Sequence, residues 1–260
     1  MHEIAGRAIP PNFGIEPYTD NCRSICARGE HVLIGVSPGN SYFSEGRLAS
    51  LLLWSSELFQ KVDVIVPDIS VVHTYRALGD PPDRAWSKAQ IQTRRIRRRV
   101  ARSWEAIGVP GGDRPVLTLS QFTDHPTYRR VHQRLERVVE HDPMVRDLFL
   151  RASGQALAAH LKGVQPTEWQ LTEGMRYLLA ELPLCTHAPG ILGEPSSVNI
   201  YHQVIPFIPL VFAPGELRAE PGQAFALVRP APTGDRAART EEPAPRGRTD
   251  APAPRGQAGT

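Results

Sequence analysis

Residues His31 to Ser44 read HVLIGVSPGNSYFS, and the fold is decided here. Val32-Leu33-Ile34 is an apolar run of the kind that forms a buried strand. It breaks at Gly35-Val36-Ser37-Pro38-Gly39-Asn40, a string of turn-forming residues with a serine in its middle. An amphipathic run follows. A serine hydroxyl is thereby offered at the carboxyl end of an early strand, where open α/β sheets place their ligands.

Outward from this segment, strands are predicted at 31–36, 62–66 (VDVIV), 115–119 (PVLTL) and 197–203 (SVNIYHQ). Helices are predicted at about 45–60, 87–107, 126–140, 143–162 and 167–182. Short β-branched strands alternating with long helices predict an α/β fold: a Rossmann-like parallel sheet flanked by helices. One domain is expected over 1–228, opening with an irregular Pro- and Gly-containing lead-in at 1–28. From Arg229 the composition changes. Residues 229–260 hold six prolines and no large apolar side chain, and PAPRG occurs twice, at 243–247 and 252–256. Such a segment buries too little surface to offset its ordering entropy, so a disordered tail is expected. Its six arginines against four acidic residues supply +2 of the net +3, which leaves the rest of the chain close to neutral.

The hydrophobic share of 41% and charged share of 22% describe a soluble, globular chain. Cys22, Cys26 and Cys185 are sparse and lack C-x-x-C spacing, which fits a reduced, cytoplasmic compartment. The N-terminus carries no basic-then-apolar signal pattern. Uninterrupted apolar stretches such as Leu51 to Trp54 are far too short to span a bilayer, so no membrane partner is expected.

Segment 88–107 reads KAQIQTRRIRRRVARSWEAI. At 3.6 residues per turn Ala89, Ile96, Val100, Trp104 and Ile107 share one face, with Arg94, Arg95, Arg98, Arg99 and Arg102 opposite. Six arginines fall within nine residues, and no acidic residue occurs between Asp83 and Glu105. Clustered cations without local partners predict polyanion binding, against the plainer reading of a solvated helix face.

Gly35-Val36-Ser37-Pro38-Gly39 also matches G-x-S-x-G, the nucleophile elbow of α/β-hydrolases. That elbow uses the backbone N–H of the residue after its nucleophile, and Pro38 has none. No later Asp-then-His pair stands out. A hydrolase is set aside.

The segment LIGVSPGNSYFS resembles the signature of the cyclodipeptide synthases, enzymes that convert two aminoacyl-tRNAs into a cyclic dipeptide. The resemblance continues at Tyr177-Leu178-Leu179-Ala180-Glu181, similar to the family's Y-x-x-x-E helix motif. It continues again at Pro195-Ser196-Ser197-Val198-Asn199-Ile200-Tyr201-His202, similar to its late P-S-S strand. Asn40 with Tyr201 resembles the subfamily with asparagine in the first motif. The arginine helix lies where the family carries its tRNA-binding basic helix. The likeness covers roughly 28–228. It implies a fold like the catalytic domain of class I aminoacyl-tRNA synthetases, without their HIGH and KMSKS signatures, as suits an enzyme given activated amino acids.

What the resemblance implies for each residue is specific. Ser37 is the expected nucleophile. Tyr177 and Glu181, one helical turn apart, would hold the α-ammonium, with Glu181 also a base. Tyr201 would relay a proton in ring closure. His202, pointing to the other side of its strand, would support geometry by hydrogen bonding. Gly35 lets the backbone approach the substrate, and Asn40 positions a carbonyl or hydroxyl. Leu33, Ile65, Leu119, Leu184 and Asn199 would line the first amino-acid pocket, favouring a hydrophobic or aromatic residue, with Asn199 able to bond a phenol or indole. Arg94, Arg95, Arg98, Arg99 and Arg102 would meet tRNA. Two aminoacyl-tRNAs per cycle, a monomer, and no metal or cofactor are expected. The competing expectation is a non-catalytic tRNA- or RNA-binding module on the same scaffold, which has no need for Ser37, Tyr177, Glu181 and Tyr201 together.

Overall fold

The computed structural model describes residues 3–4, 7–8, 13–109 and 116–231, and places the apolar run at 32–34 in the middle of its main sheet. A short antiparallel pair, β1 (Glu3–Ile4) and β2 (Arg7–Ala8), stands apart from that sheet. The chain then runs through β3 (Phe13–Pro17), α1 (Asp20–Arg28), β4 (His31–Gly35), α2 (Glu45–Leu58), β5 (Lys61–Val66), α3 (Val71–Ala77) and α4 (Pro82–Glu105). It continues through β6 (Leu117–Thr118), a 3-10 turn at Leu119–Gln121, α5 (Pro126–His141), α6 (Pro143–Leu161), α7 (Glu168–Leu192), β7 (Ser197–Tyr201), α8 (Ile208–Val211) and β8 (Gln223–Pro230).

The six-stranded sheet has the order β3-β8-β7-β4-β5-β6. β8, β7, β4, β5 and β6 are parallel, and β3 pairs antiparallel with β8. From β4 the chain crosses to β5, while β4's other neighbour is the much later β7. The loops leaving β4 and β7 therefore diverge at a topological switch point, and a crevice opens at the carboxyl ends of those strands.

Strand periodicity divides the core. Val32 and Ile34 of β4, with Val198 and Ile200 of β7, face one layer, packed against Leu48 and Leu52 of α2 and Ile96, Val100 and Trp104 of α4. Leu33 points the other way, into a cluster with Ile65, Leu119, Tyr128 and Leu184. The register pairs Leu33 with Asn199 and Gly35 with Ile65, which puts the crevice-facing side chains of neighbouring strands side by side.

The irregular lead-in expected at 1–28 is corrected: 13–28 forms β3 and α1. The α1 signals were present in the sequence. Thr19 caps it, accepting from the Cys22 N–H at 3.1 Å, and Gly29 ends it at φ +63. β3 has only Phe13 and Ile15 as apolar residues and forms because β8 supplies a partner. The parallel sheet flanked by helices is as expected, with β3 added as an antiparallel edge strand, and Arg229 and Pro230 belong to β8 rather than to a tail. The rest of that expected tail, 232–260, lies outside the described residues. No helix among the described residues is long and apolar enough to cross a membrane.

α7 runs on to Leu192 through Pro183 and Pro189, ten residues past the predicted end at 182. Each proline removes one backbone donor, and the helix kinks at His187, whose φ/ψ of −139/34 is not helical. A Thr167–Gln170 capping box starts the helix and Gly193, at φ +73, closes it. The same helix thus carries Tyr177 and Glu181 at the crevice and Ala188 and Ile191 in the core.

Candidate active site

Ser37 follows β4 by two residues. Val36 extends the strand, its N–H donating to Ile65 O at 3.0 Å, so Ser37 enters the crevice from a fixed base. Gly39 turns the chain at φ +74, a conformation that favours glycine. A Cβ on Gly35 would meet nothing within 4 Å, so this glycine leaves the floor of the crevice open.

Ser37 Oγ lies 3.2 Å from the Tyr201 hydroxyl at the end of β7. Asn40 Nδ2 donates to the same hydroxyl at 3.2 Å, while its Oδ1 accepts from the Tyr42 N–H at 2.9 Å. The asparagine therefore both stabilises its own turn and aims a donor at the tyrosine. Because Asn40 occupies one acceptor position on Tyr201, the remaining hydrogen bond joins tyrosine and serine, and either can be the donor.

Tyr177 and Glu181 face this group from α7. The Tyr177 hydroxyl lies close enough to Glu181 and Ser37 for both to influence its ionisation. Burial pushes the Glu181 carboxyl up to about 7, against a smaller opposing effect of its bond to Tyr177. Burial, followed by the Glu181 charge, holds the Tyr177 phenol well above its ordinary range. Burial also raises Tyr201, opposed by its bonds to Ser37 and Asn40. Both phenols therefore keep their protons at neutral pH and serve as donors, while the carboxyl is poised to exchange one.

These side chains open onto a cavity of about 620 Å³. That volume suits a small-molecule site rather than a single water-filled void. Leu33, Ile65, Leu119, Leu184 and Asn199 all line it, as do Gly35, Ser37, Asn40, Tyr177, Glu181 and Tyr201. Asn199 donates from Nδ2 to Leu184 O at 3.0 Å, and its buried Oδ1 has no hydrogen-bond partner among the described residues. Cys185 also lines the cavity, but burial and the Glu181 charge push its thiol up to about 12, so it stays protonated at neutral pH and is a poor nucleophile.

His202 lies on the other side of its strand, as expected, but does not take its expected hydrogen-bonding role. It does not line the cavity, and its buried Nδ1 has no hydrogen-bond partner among the described residues. Its ring stacks on Tyr42 at 4.2 Å and meets Phe43 edge-on at 5.8 Å. Burial, then the Arg47 charge, lowers its pKa. Strand alternation sends it away from Ser37, so it supports the loop by ring packing rather than by hydrogen bonding.

On α4, Ala89, Ile96, Val100 and Trp104 are buried as the pattern requires, and Arg94, Arg95 and Arg98 are exposed. Gln92 of the same helix lines the cavity, so the exposed arginine face begins beside its mouth. The row has no local acidic partners, as expected, but its last turn finds partners from elsewhere in the chain. Arg102 Nε bonds Glu45 Oε2 at 2.7 Å, and Arg99 donates to Phe43 O at 2.9 Å. Both partners come from a segment more than fifty residues away, beyond any local charge pattern.

Sequence reasoning missed the far wall of the cavity. Tyr75 of α3, and Ala152, Gln155, Ala156 and His160 of α6, line it. α6 has only a faint polar–apolar division, and no motif marks these positions.

The family model described as cyclodipeptide synthase matches residues 13–230. The cyclo(L-tyrosyl-L-tyrosyl) synthase of Mycobacterium tuberculosis is 36% identical over 235 residues, covering 86% of this chain and 80% of that protein. The cyclo(L-leucyl-L-phenylalanyl) synthase of Streptomyces noursei is 34% identical over 245 residues, covering 90% and 100%. Among solved structures, a cyclodipeptide synthase from Bacillus thermoamylovorans matches with a TM-score of 0.78 at 27% identity, over 86% of this chain and 98% of that one. A Mycobacterium tuberculosis protein, whose structure demonstrates that cyclodipeptide synthetases are related to type I tRNA synthetases, matches with a TM-score of 0.74 at 36% identity, over 88% and 100%. With the sheet, the serine turn and the α7 pair all in place, this chain belongs to the cyclodipeptide synthase family of aminoacyltransferases.

Proposed function

We infer that this enzyme draws two amino acids from two aminoacyl-tRNAs and closes them into a 2,5-diketopiperazine through an ester on Ser37. The observation that carries this reading is the meeting of Ser37, Tyr201, Asn40, Tyr177 and Glu181 on one cavity wall. In the first step Ser37 Oγ bonds to the ester carbonyl carbon, the bond to the ribose oxygen breaks, and the serine proton ends on that oxygen. One ester replaces another, so the step is nearly isoenergetic. Tyr177 and Glu181 hold the α-ammonium of the serine-bound residue. Glu181, with its pKa near 7, then takes the proton that frees the amine. That amine attacks the second aminoacyl ester; the amide forms as the bond to the ribose oxygen breaks, the amine's surplus proton ends on that oxygen, and the second tRNA leaves. The new terminal amine attacks the Ser37 ester, the ring closes, and its proton returns to Ser37 by way of Tyr201.

The exposed face of α4 supplies the phosphate contacts, with Arg94, Arg95 and Arg98 leading to the cavity mouth. The reading is of a monomer in the cytoplasm. For the first residue it favours tyrosine. Leu33, Ile65, Leu119 and Leu184 accommodate an aromatic ring, and the unpartnered Asn199 Oδ1 is an acceptor for a phenol O–H. A buried acceptor left unpaired costs about 1–3 kcal/mol, which a tyrosine recovers and a phenylalanine does not. A relative that shares 36% identity is named for cyclo-tyrosyl-tyrosine.

The test is product analysis of the medium from a host expressing the chain. A tyrosine-containing cyclic dipeptide, shifting toward phenylalanine or leucine products in Asn199→Leu, supports the reading. Medium free of any cyclic dipeptide above an empty-vector control contradicts it, and tyrosine products undiminished in Asn199→Leu contradict the pocket assignment.

A further inference from the structure

The arginine helix is not uniform along its length. Arg94, Arg95, Arg97 and Arg98 are exposed, with no ion-pair or hydrogen-bond partner among the described residues. The next turn is different. Arg99 is half-buried and donates from Nη1 to the carbonyl of Phe43 at 2.9 Å. Arg102 pairs with the Glu45 carboxylate. Ser103, fully buried, shares its hydroxyl between Arg99 O at 2.9 Å and Glu45 O at 3.1 Å. Three side chains at i, i+3 and i+4 on one helical face therefore converge on residues 43–45.

Residues 43–45 join the serine loop to α2. Ser44 stands at the N-cap of α2 but makes no side-chain cap bond, so the junction lacks the usual local fixing. α4 provides that fixing instead. From Phe43 the path to the reacting atoms is short. The Phe43 N–H donates to Asn40 O at 3.3 Å, and the Phe43 ring, 2% exposed, packs against Tyr201 at 6.0 Å and His202 at 5.8 Å. Asn40 and Tyr201 in turn hold Ser37.

We propose that Arg99 and Ser103 are positioning residues that set the geometry of Ser37, Asn40 and Tyr201 through the Phe43 and Glu45 carbonyls, while the preceding turns of the same helix serve phosphate. The proposal rests on the reading of Ser37 as an acyl acceptor. It divides one row of like residues by what each guanidinium touches. A phosphate-binding arginine acts before the chemistry and through charge. An arginine that holds the loop acts on the chemical step, where a misplacement of about 1 Å can cost on the order of 10²-fold.

The experiment is acylation of the full-length protein by aminoacyl-tRNA, followed as single-turnover rate against enzyme concentration at several salt concentrations. Arg98→Ala, Arg99→Ala and Ser103→Ala are compared with wild type, each checked for folding by its melting temperature. Arg98→Ala should weaken half-saturation, reduce the salt slope by about one, and leave the saturating rate unchanged. Ser103→Ala removes no charge and should lower the saturating rate roughly 10-fold with the salt slope intact. Arg99→Ala should lower it by about 10- to 100-fold. If Arg99→Ala unfolds, Ser103→Ala alone decides. A Ser103→Ala enzyme with a wild-type saturating rate overturns the proposal, as does an Arg99→Ala enzyme that changes only half-saturation and salt slope. Wild-type protein that never acylates removes the reading of Ser37 beneath it, an outcome separable from the other two.

Discussion

The two ends of β4 and β7 carry the same kinds of group and put them to different use. At the amino ends, His31 joins Ser197 Oγ from Nδ1 at 2.8 Å and Asp63 Oδ2 from Nε2 at 3.3 Å. On paper this is a serine, a histidine and a carboxylate in series. Both His31 and Ser197 are 0% exposed, so no substrate reaches them. Burial pushes the Asp63 carboxyl up, but the His31 bond and the Lys61 charge outweigh it and leave it below its ordinary value. At the carboxyl ends, Ser37, Tyr201 and Glu181 open onto a cavity, and burial leaves Glu181 near 7 with no cation among the described residues to settle it. What separates a structural network from a site is access, together with a group whose charge is not yet satisfied.

Substitutions at the two ends should separate accordingly. The largest effect belongs to Ser37→Ala, which should lower cyclic dipeptide formation by at least about 10³-fold while leaving the melting temperature near that of wild type. Tyr201→Phe keeps the ring and removes the hydroxyl. It should slow turnover on the order of 10²-fold in a steady-state assay, with folding intact. Ser197→Ala should do the reverse. It leaves His31 Nδ1 without its partner and should cost about 1–3 kcal/mol in denaturant unfolding, with the turnover rate of the folded fraction unchanged. Loss of turnover in folded Ser197→Ala would erase the distinction between the two ends.

The smallest effect is one of stability at the active end. A carboxyl raised in the folded state destabilises that state once the pH exceeds its unfolded value of 4.5, and fully so above about 7. Below 4.5 both states are protonated and the effect vanishes. Glu181→Gln should therefore stabilise the fold by about 1–2 kcal/mol near pH 8 and by nothing near pH 4, read from paired unfolding curves. An equal gain at both pH values would mean that the glutamate's charge is not what is strained.

The cavity wall that bears Ser37 was legible in sequence because its residues are local to the motifs that carry the family resemblance. Ser37 and Asn40 share one turn, Tyr177 and Glu181 one helical turn, and Tyr201 ends a β-branched strand. Leu33 and Asn199 were named from the family resemblance, and the register that pairs them puts both on the crevice face. The cavity's far wall was not legible, since Ala152, Ala156 and Tyr75 carry no pattern that sets them apart from ordinary helix residues. The Arg102–Glu45 pair and the Arg99–Phe43 bond depend on how α2 packs on α4, which no local spacing encodes. β8, by contrast, was readable: Ala224-Phe225-Ala226-Leu227-Val228 is an apolar run, and with it comes the partner that makes β3 a strand.

The central claim is that Ser37 carries an amino acid taken from tRNA, and intact-mass spectrometry tests it most directly. Protein mixed with tyrosyl-tRNA and acid-quenched within one turnover should gain the mass of one tyrosyl group, located by proteolysis on the peptide containing Ser37 and absent from Ser37→Ala. A tyrosyl adduct retained by Ser37→Ala, or product formed by wild type with no adduct at any time, would contradict the account.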